Sequence, residues 1–227
     1  MLDPIESFRP DANAVCVCGG SKLFKNCCGS SAIDRKPPAG IILQKAFLPA
    51  DACNKLVEFV TKQSASGPLK VVAKDSSVTK AVHDVVNSDR VTTRIDLQAG
   101  QAKIDKWVAD IFYKLLAKKI GKKIRSYSSP DLMRYTSGGY YKPHSDSELF
   151  DKNTGKWNKV LDRDYSLLLY LNDDFEGGAV HFTHFNYTFK PRKGDLLIFP
   201  SHHLYLHEAQ LVESGVRYVI VSWANLK

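Results

Sequence analysis

Residues 194–223 read GDLLIFPSHHLYLHEAQLVESGVRYVIVSW. A Gly-Asp turn opens an apolar segment that closes at Phe199-Pro200, and a second apolar segment, rich in Val and Ile, ends at Trp223. Both have the length and composition of β-strands. Between them lie three histidines, His202, His203 and His207, and composition alone does not choose among them. Upstream, residues 133–146, MRYTSGGYYKPHSD, end in His144-Ser145-Asp146. In an extended strand residues i and i+2 point the same way, so His144 and Asp146 can reach one ion at a strand end. Two imidazoles and one carboxylate on one face form the donor set of a non-haem iron site with open positions. A His-x-Asp pair alone is common by chance, so a second histidine from the downstream stretch has to complete it.

Working outward from these two stretches, the chain after Gly121 consists of short Tyr-, Ser-, Thr- and Val-bearing segments separated by turns such as Asn172-Asp173-Asp174 and Gly177-Gly178. Before Gly121, Ile104, Trp107, Val108, Ile111, Leu115 and Leu116 recur at helical spacing, predicting one amphipathic helix over 101–120. Pro49-Ala50-Asp51 opens an earlier helix with Cys53, Leu56, Val57 and Val60 on one side, after a strand in GIILQKAFL. Residues 69–100 give no clear pattern. Helices first and many short strands afterwards predict an α+β chain, a double-stranded β-helix (jelly-roll) core buttressed by helices. Residues 147–162, SELFDKNTGKWNKVLD, form a long insert suited to a lid, with Trp157 placed to press on a bound substrate.

At 227 residues the chain accommodates one well-buried domain and a small appendage. Hydrophobic residues at 44% and charged residues at 25% are ordinary for a soluble globular protein and argue against wholesale disorder. The formal charge of +8 favours anionic partners, nucleic acid among them without being required, although Lys118-Lys119 and Lys122-Lys123 read as a solvated helix face. No run of 18 apolar residues occurs, and the opening MLDPIESFRPD lacks a basic-then-apolar order. The expectation is a cytoplasmic protein with no membrane association; nothing in the sequence fixes an oligomeric state.

Four of the five cysteines, Cys16, Cys18, Cys27 and Cys28, fall within 13 residues, a poor disulfide spacing and a good zinc spacing. The pattern Cys-x-Cys, eight residues, Cys-Cys resembles the SEC-C zinc motif, with Gly20-Ser21 where that family usually has Ser-Gly. The resemblance implies a small interaction module over residues 1–30 whose folding free energy comes mostly from structural Zn(II). Residues 31–40 then read as a linker and 41–227 as the main domain.

The C-terminal half resembles the prolyl 4-hydroxylase branch of the Fe(II)- and 2-oxoglutarate-dependent oxygenases. The residues that carry the resemblance are His144 and Asp146, Tyr170-Leu171-Asn172, Gly177-Gly178, Gly194-Asp195 with Phe199-Pro200, His207-Glu208, and Arg217. It implies that His144, Asp146 and His207 hold Fe(II), His207 being chosen over His202 and His203 because it precedes Glu208 and lies ten residues before Arg217. It also implies that Arg217, with Tyr170 and Tyr135, binds 2-oxoglutarate, and that Tyr141, Trp223 and Arg163 face the substrate. A guanidinium suits the cosubstrate's far carboxylate because it can make two charge-assisted hydrogen bonds. The implied reaction hydroxylates a prolyl residue in a protein or peptide, at C4, using O₂ and releasing succinate and CO₂, with room for ascorbate. Two alternatives stand beside it: a same-fold oxygenase acting on nucleic acid or a free amino acid, and a zinc-containing interaction protein lacking turnover.

Overall fold

A computed structural model describes residues 11–16, 21–30, 36–64, 89–97 and 100–227. Cys18, residues 31–35 of the expected linker and most of the patternless 69–100 stretch lie outside the described residues. The strands are β1 (Ile42–Gln44), β2 (Arg90–Val91), β3 (Thr93–Ile95), β4 (Ile124–Tyr127), β5 (Asp131–Thr136), β6 (Tyr140–His144), β7 (Glu148–Asp151), β8 (Lys156–Lys159), β9 (Tyr165–Tyr170), β10 (Phe175–Gly177), β11 (Val180–Phe182), β12 (Tyr187–Phe189), β13 (Leu196–Pro200), β14 (His207–Ala209) and β15 (Val212–Leu226). The helices are α1 (Ala50–Ser64), α2 (Gln101–Asp110) and α3 (Ala117–Ile120).

The larger sheet runs β1-β13-β9-β15-β5-β3, with β10 and β4 also paired to β15. The smaller runs β12-β11-β14-β6-β2, and β7-β8 form a separate hairpin. The result is a sheet-rich α+β fold with few helices, in keeping with the predicted order of helices before strands.

The larger sheet is covered on both faces, which explains why its strands read as unbroken apolar runs rather than alternating ones. Successive residues point to opposite faces, so Leu167 and Leu169 of β9, Leu196 and Ile198 of β13 and Ile220 of β15 join Cys53, Val60, Ile104, Val108 and Phe112 of the helical layer. Tyr170, Leu197, Phe199 and Val219 turn the other way, into a second cluster with Val180, Phe182 and Ala209 of the smaller sheet. Cys53 is wholly buried, as expected of a core residue.

The helix predicted over 101–120 differs in its middle, where Ile111–Leu116 form a π-helical segment between α2 and α3. The wider turn carries Ile111, Phe112 and Leu116 together into the core. The insert at 147–162 is a paired hairpin rather than a loose loop. Trp157 does not line the central cavity: it stacks on His203 at 5.3 Å and 9° and packs against Phe150. His184 is 2% exposed.

Candidate active site between the two sheets

The sheet register brings the sequence-distant histidines together. β14 pairs antiparallel with β6 so that His207 sits directly opposite His144, and their rings lie 4.4 Å apart. Asp146 follows two residues beyond His144, just past the end of β6. Its Oδ1 is 3.6 Å from His144 Nε2 and its Oδ2 3.8 Å from His207 Nε2. One ligand atom from each of the three residues lies within 4.8 Å of the others, a set able to hold a metal ion. His202 and His203 do not join it. His203 is engaged by Glu148, whose Oε2 is 2.6 Å from both its backbone N and its Nδ1.

Each imidazole is oriented by a backbone carbonyl, His144 Nδ1 by Lys142 O at 2.8 Å and His207 Nδ1 by Tyr205 O at 3.1 Å. A ring whose Nδ1–H donates to a carbonyl presents Nε2 as its free lone pair, the tautomer a metal requires. Tyr141 stacks on His144 at 3.6 Å and 15°. Burial, with the nearby His144, pushes His207 down to about 4 against the pull of Asp146, so its ring is neutral at physiological pH. Burial favours the neutral form of Asp146, but His207, His144 and the Ser166 hydroxyl outweigh it and hold the carboxyl well below the usual range.

A second polar centre lies on β15. Arg217 is 2% exposed and donates through Nη1 to Gly178 O at 2.5 Å. Its guanidinium lies 4.0 Å over the Tyr135 ring, the cross-strand neighbour given by the β15–β5 register. The Gly177-Gly178 turn makes this carbonyl available: Gly177 has φ +72°, and a Cβ there would fall 2.2 Å from Leu211 O. Arg217 Nε and Tyr170 Oη are buried without a hydrogen-bond partner among the described residues. Burial pushes the Tyr170 phenol up, opposed by Arg217, so it is a proton donor. A buried guanidinium and a buried phenol with unused N–H and O–H groups are the complement of a carboxylate ligand.

Both centres open into one cavity of about 900 Å³. Tyr135, Tyr141, His144, Asp146, Arg163, Tyr170, His207, Arg217 and Trp223 all line it, whereas Trp157 does not. Arg163 lies 3.6 Å over the Trp223 ring and donates through Nη1 to Asp146 O at 3.2 Å. Arg217 and Trp223 project from the same face of β15, six residues and so roughly 20 Å apart. Sequence reasoning missed Ser166, whose hydroxyl donates to Asp146 Oδ2 at 2.6 Å, and Arg90, which lies 4.7 Å over the Tyr141 ring. Ser166 was signalled only as the one small polar residue inside the apolar strand YSLLLY; Arg90 falls in the stretch without pattern.

At the N-terminus Cys16, Cys27 and Cys28 form a second group whose sulfurs lie within 4.8 Å of one another. A 3-10 turn at Phe24–Asn26 and the bond from Cys16 N to Lys22 O at 2.9 Å bring them together.

Residues 130–225 match the 2OG-Fe(II) oxygenase superfamily. A PKHD-type hydroxylase of Thermosynechococcus vestitus is 29% identical over 161 residues, covering 57% of this chain and 69% of its own length. A putative prolyl 4-hydroxylase of Acanthamoeba polyphaga mimivirus is 29% identical over 104 residues, 40% of this chain. The chain spans only 42% of that relative's length. Among solved structures, the collagen prolyl hydroxylase of Paramecium bursaria Chlorella virus-1 superposes with a TM-score of 0.57 at 19% identity, over 82% of this chain and 95% of that one. This likeness shows a shared fold.

Proposed function

We propose, from the premise that this chain is a 2-oxoglutarate-dependent dioxygenase of the 2OG-Fe(II) oxygenase superfamily, that it hydroxylates a prolyl residue of a protein or peptide. The observation that carries the reading is the pairing, in one cavity, of a His-Asp-His group with a buried Arg217 and Tyr170 whose Nε–H and phenol O–H have no partner among the described residues. His144, Asp146 and His207 would hold Fe(II), a donor set that leaves three coordination positions open. Arg217 and Tyr170 would bind the far carboxylate of 2-oxoglutarate, one with a charge-assisted N–H and the other with a phenol O–H. When bound, the iron and the keto acid supply the oxidising chemistry: 2-oxoglutarate is converted to succinate and CO₂ while O₂ delivers one oxygen atom to a substrate C–H bond.

The chain's own residues position and exclude. Tyr135 backs the Arg217 guanidinium, and buried apolar side chains such as Val180 and Val219 keep that end of the cavity dry. Trp223, capped by Arg163, offers a flat apolar wall suited to a pyrrolidine ring, and Tyr141 closes the side next to His144. The double-stranded β-helix reading of the two sheets, and C4 as the target atom, follow the motif pattern. The N-terminal cysteines are read as a SEC-C-type zinc module over residues 1–30, joined by 31–40 to a catalytic domain over 41–227. Such a thiolate group suits a reducing compartment such as the cytoplasm.

The test supplies Fe(II), 2-oxoglutarate and O₂ with three substrate classes, proline-containing peptides, oligonucleotides and free amino acids, and measures succinate. Succinate coupled to a proline peptide, with 4-hydroxyproline as product, is expected. 3-Hydroxyproline overturns the C4 assignment, and coupling only to an oligonucleotide or a free amino acid overturns the prolyl reading. No succinate under any condition favours an interaction protein without turnover.

A further inference from the structure

Asp146 is enclosed by four serines. Ser145, Ser147, Ser166 and Ser201 are each no more than 5% exposed. Ser166 Oγ lies 2.6 Å from Asp146 Oδ2 and 2.8 Å from Ser201 Oγ. A hydroxyl carries one proton. A carboxylate can only accept, so the Ser166 proton points at Asp146 and the Ser201 proton at Ser166. The direction of both bonds is thereby fixed. The Ser201 carbonyl in turn accepts from Ser145 Oγ at 2.9 Å, Ser147 Oγ at 3.0 Å and Ser147 N at 3.2 Å. The residues on either side of Asp146 are therefore tied to the same β13 end that orients Ser166.

From this geometry we infer that Ser166, ordered by Ser201, is a positioning residue that keeps Asp146 a single-oxygen metal ligand. The inference rests on the metal-site reading above and adds to it. A carboxylate bound through both oxygens would take a second coordination position, leaving two where a chelating keto acid and O₂ need three. The short bond to Ser166 engages Oδ2 and sets the torsion of the carboxylate, so Oδ1 is the oxygen left for the ion. The β9 register also seats Ser166 opposite Trp223, so the ligand's orientation is fixed from the wall next to the substrate rather than from the cosubstrate end.

The test uses Co(II) as the probe, titrated into the full chain with Zn(II) already held by the N-terminal cysteines and the His-Asp-His group left empty, and followed by its visible d–d absorption, with melting temperatures before Co(II) addition as the folding check. The wild type is expected to bind one Co(II) in a six-coordinate spectrum, and His144→Ala to lose it. Ser166→Ala is expected to weaken Co(II) binding by about tenfold or more and to change the band shape as the carboxylate turns. Ser166→Thr, which keeps the hydroxyl, restores both. Ser201→Ala, which leaves Ser166 present but without its donor, gives a smaller change in the same direction and carries the test if Ser166→Ala does not fold. Wild-type affinity and band shape in Ser166→Ala, or in Ser201→Ala where that variant carries the test, overturn the inference. A wild type that binds no Co(II) overturns instead the metal reading on which it rests.

Discussion

Arg217 is a buried cation in a mostly apolar cavity, held by one neutral carbonyl and one aromatic face. Burying a guanidinium with so little compensation is costly unless an anion completes the site. A hydrogen bond to a charged group is worth about 1.5–3 kcal/mol. Arg217→Lys, which offers a point charge in place of a planar fork, should therefore raise the KM for 2-oxoglutarate by about 10- to 100-fold while kcat changes little. Tyr170→Phe should do the same more weakly, by roughly tenfold or less. Steady-state succinate kinetics check both, and an unchanged KM in either variant contradicts the assigned partner. Arg217, Tyr170, His144, Asp146 and His207 were picked out together in the sequence only through the motif pattern that resembles the oxygenase family. The choice of His207 over its two neighbours has a physical basis only in the pairing of His207 with His144 across β14 and β6, which no local pattern encodes. Ser166 was not legible for the same reason: its role depends on β9 lying beside the end of β6.

The hairpin of β7 and β8 is the element whose behaviour the sequence described least well. Its length announced an insert, but KWNK carries no alternation, and the pairing came from register with Glu148–Asp151. It is anchored on His203, which Glu148 holds at the hairpin's base and to whose imidazole the Trp157 ring, nearer the turn, lies parallel. Leu149 and Leu161, rather than Trp157, reach the cavity. Glu148→Ala should release this anchor. Cleavage by trypsin after Lys152 or Lys156 should accelerate, and peptide-coupled turnover should fall more than turnover of 2-oxoglutarate alone. Equal losses in both activities would mean that the hairpin supports the metal site and not the substrate. The π-helical segment was invisible for a related reason: the apolar spacing of 101–120 fits a regular helix, and only contact with the sheet selects the wider turn.

At the scale of the whole molecule, the layers were legible from the order of helical and strand periodicities. The closeness of the two sheets around one cavity was not, because it is set by contacts between sequence-distant side chains of the two sheets, such as Phe182 on Phe199 at 4.9 Å. Closing the sheets over His207 has a cost that depends on pH. Its ordinary value is 6.5 and burial brings it to about 4, so between these values the unfolded chain binds the proton and the folded chain does not. The stabilisation is fully present above 6.5 and is lost as pH falls through this window towards 4. Urea midpoints of the metal-free protein should accordingly decline from about pH 7.5 to about pH 5; a flat or rising profile contradicts a buried neutral imidazole. The central claim, oxidation of a proline by this cavity, is tested most directly by supplying isotope-labelled O₂ with Fe(II), 2-oxoglutarate and proline-containing peptides, then locating the label by mass spectrometry. One labelled oxygen atom on a prolyl ring, absent with His207→Ala, is the predicted result; label found only on another substrate class, or on no substrate at all, would contradict it.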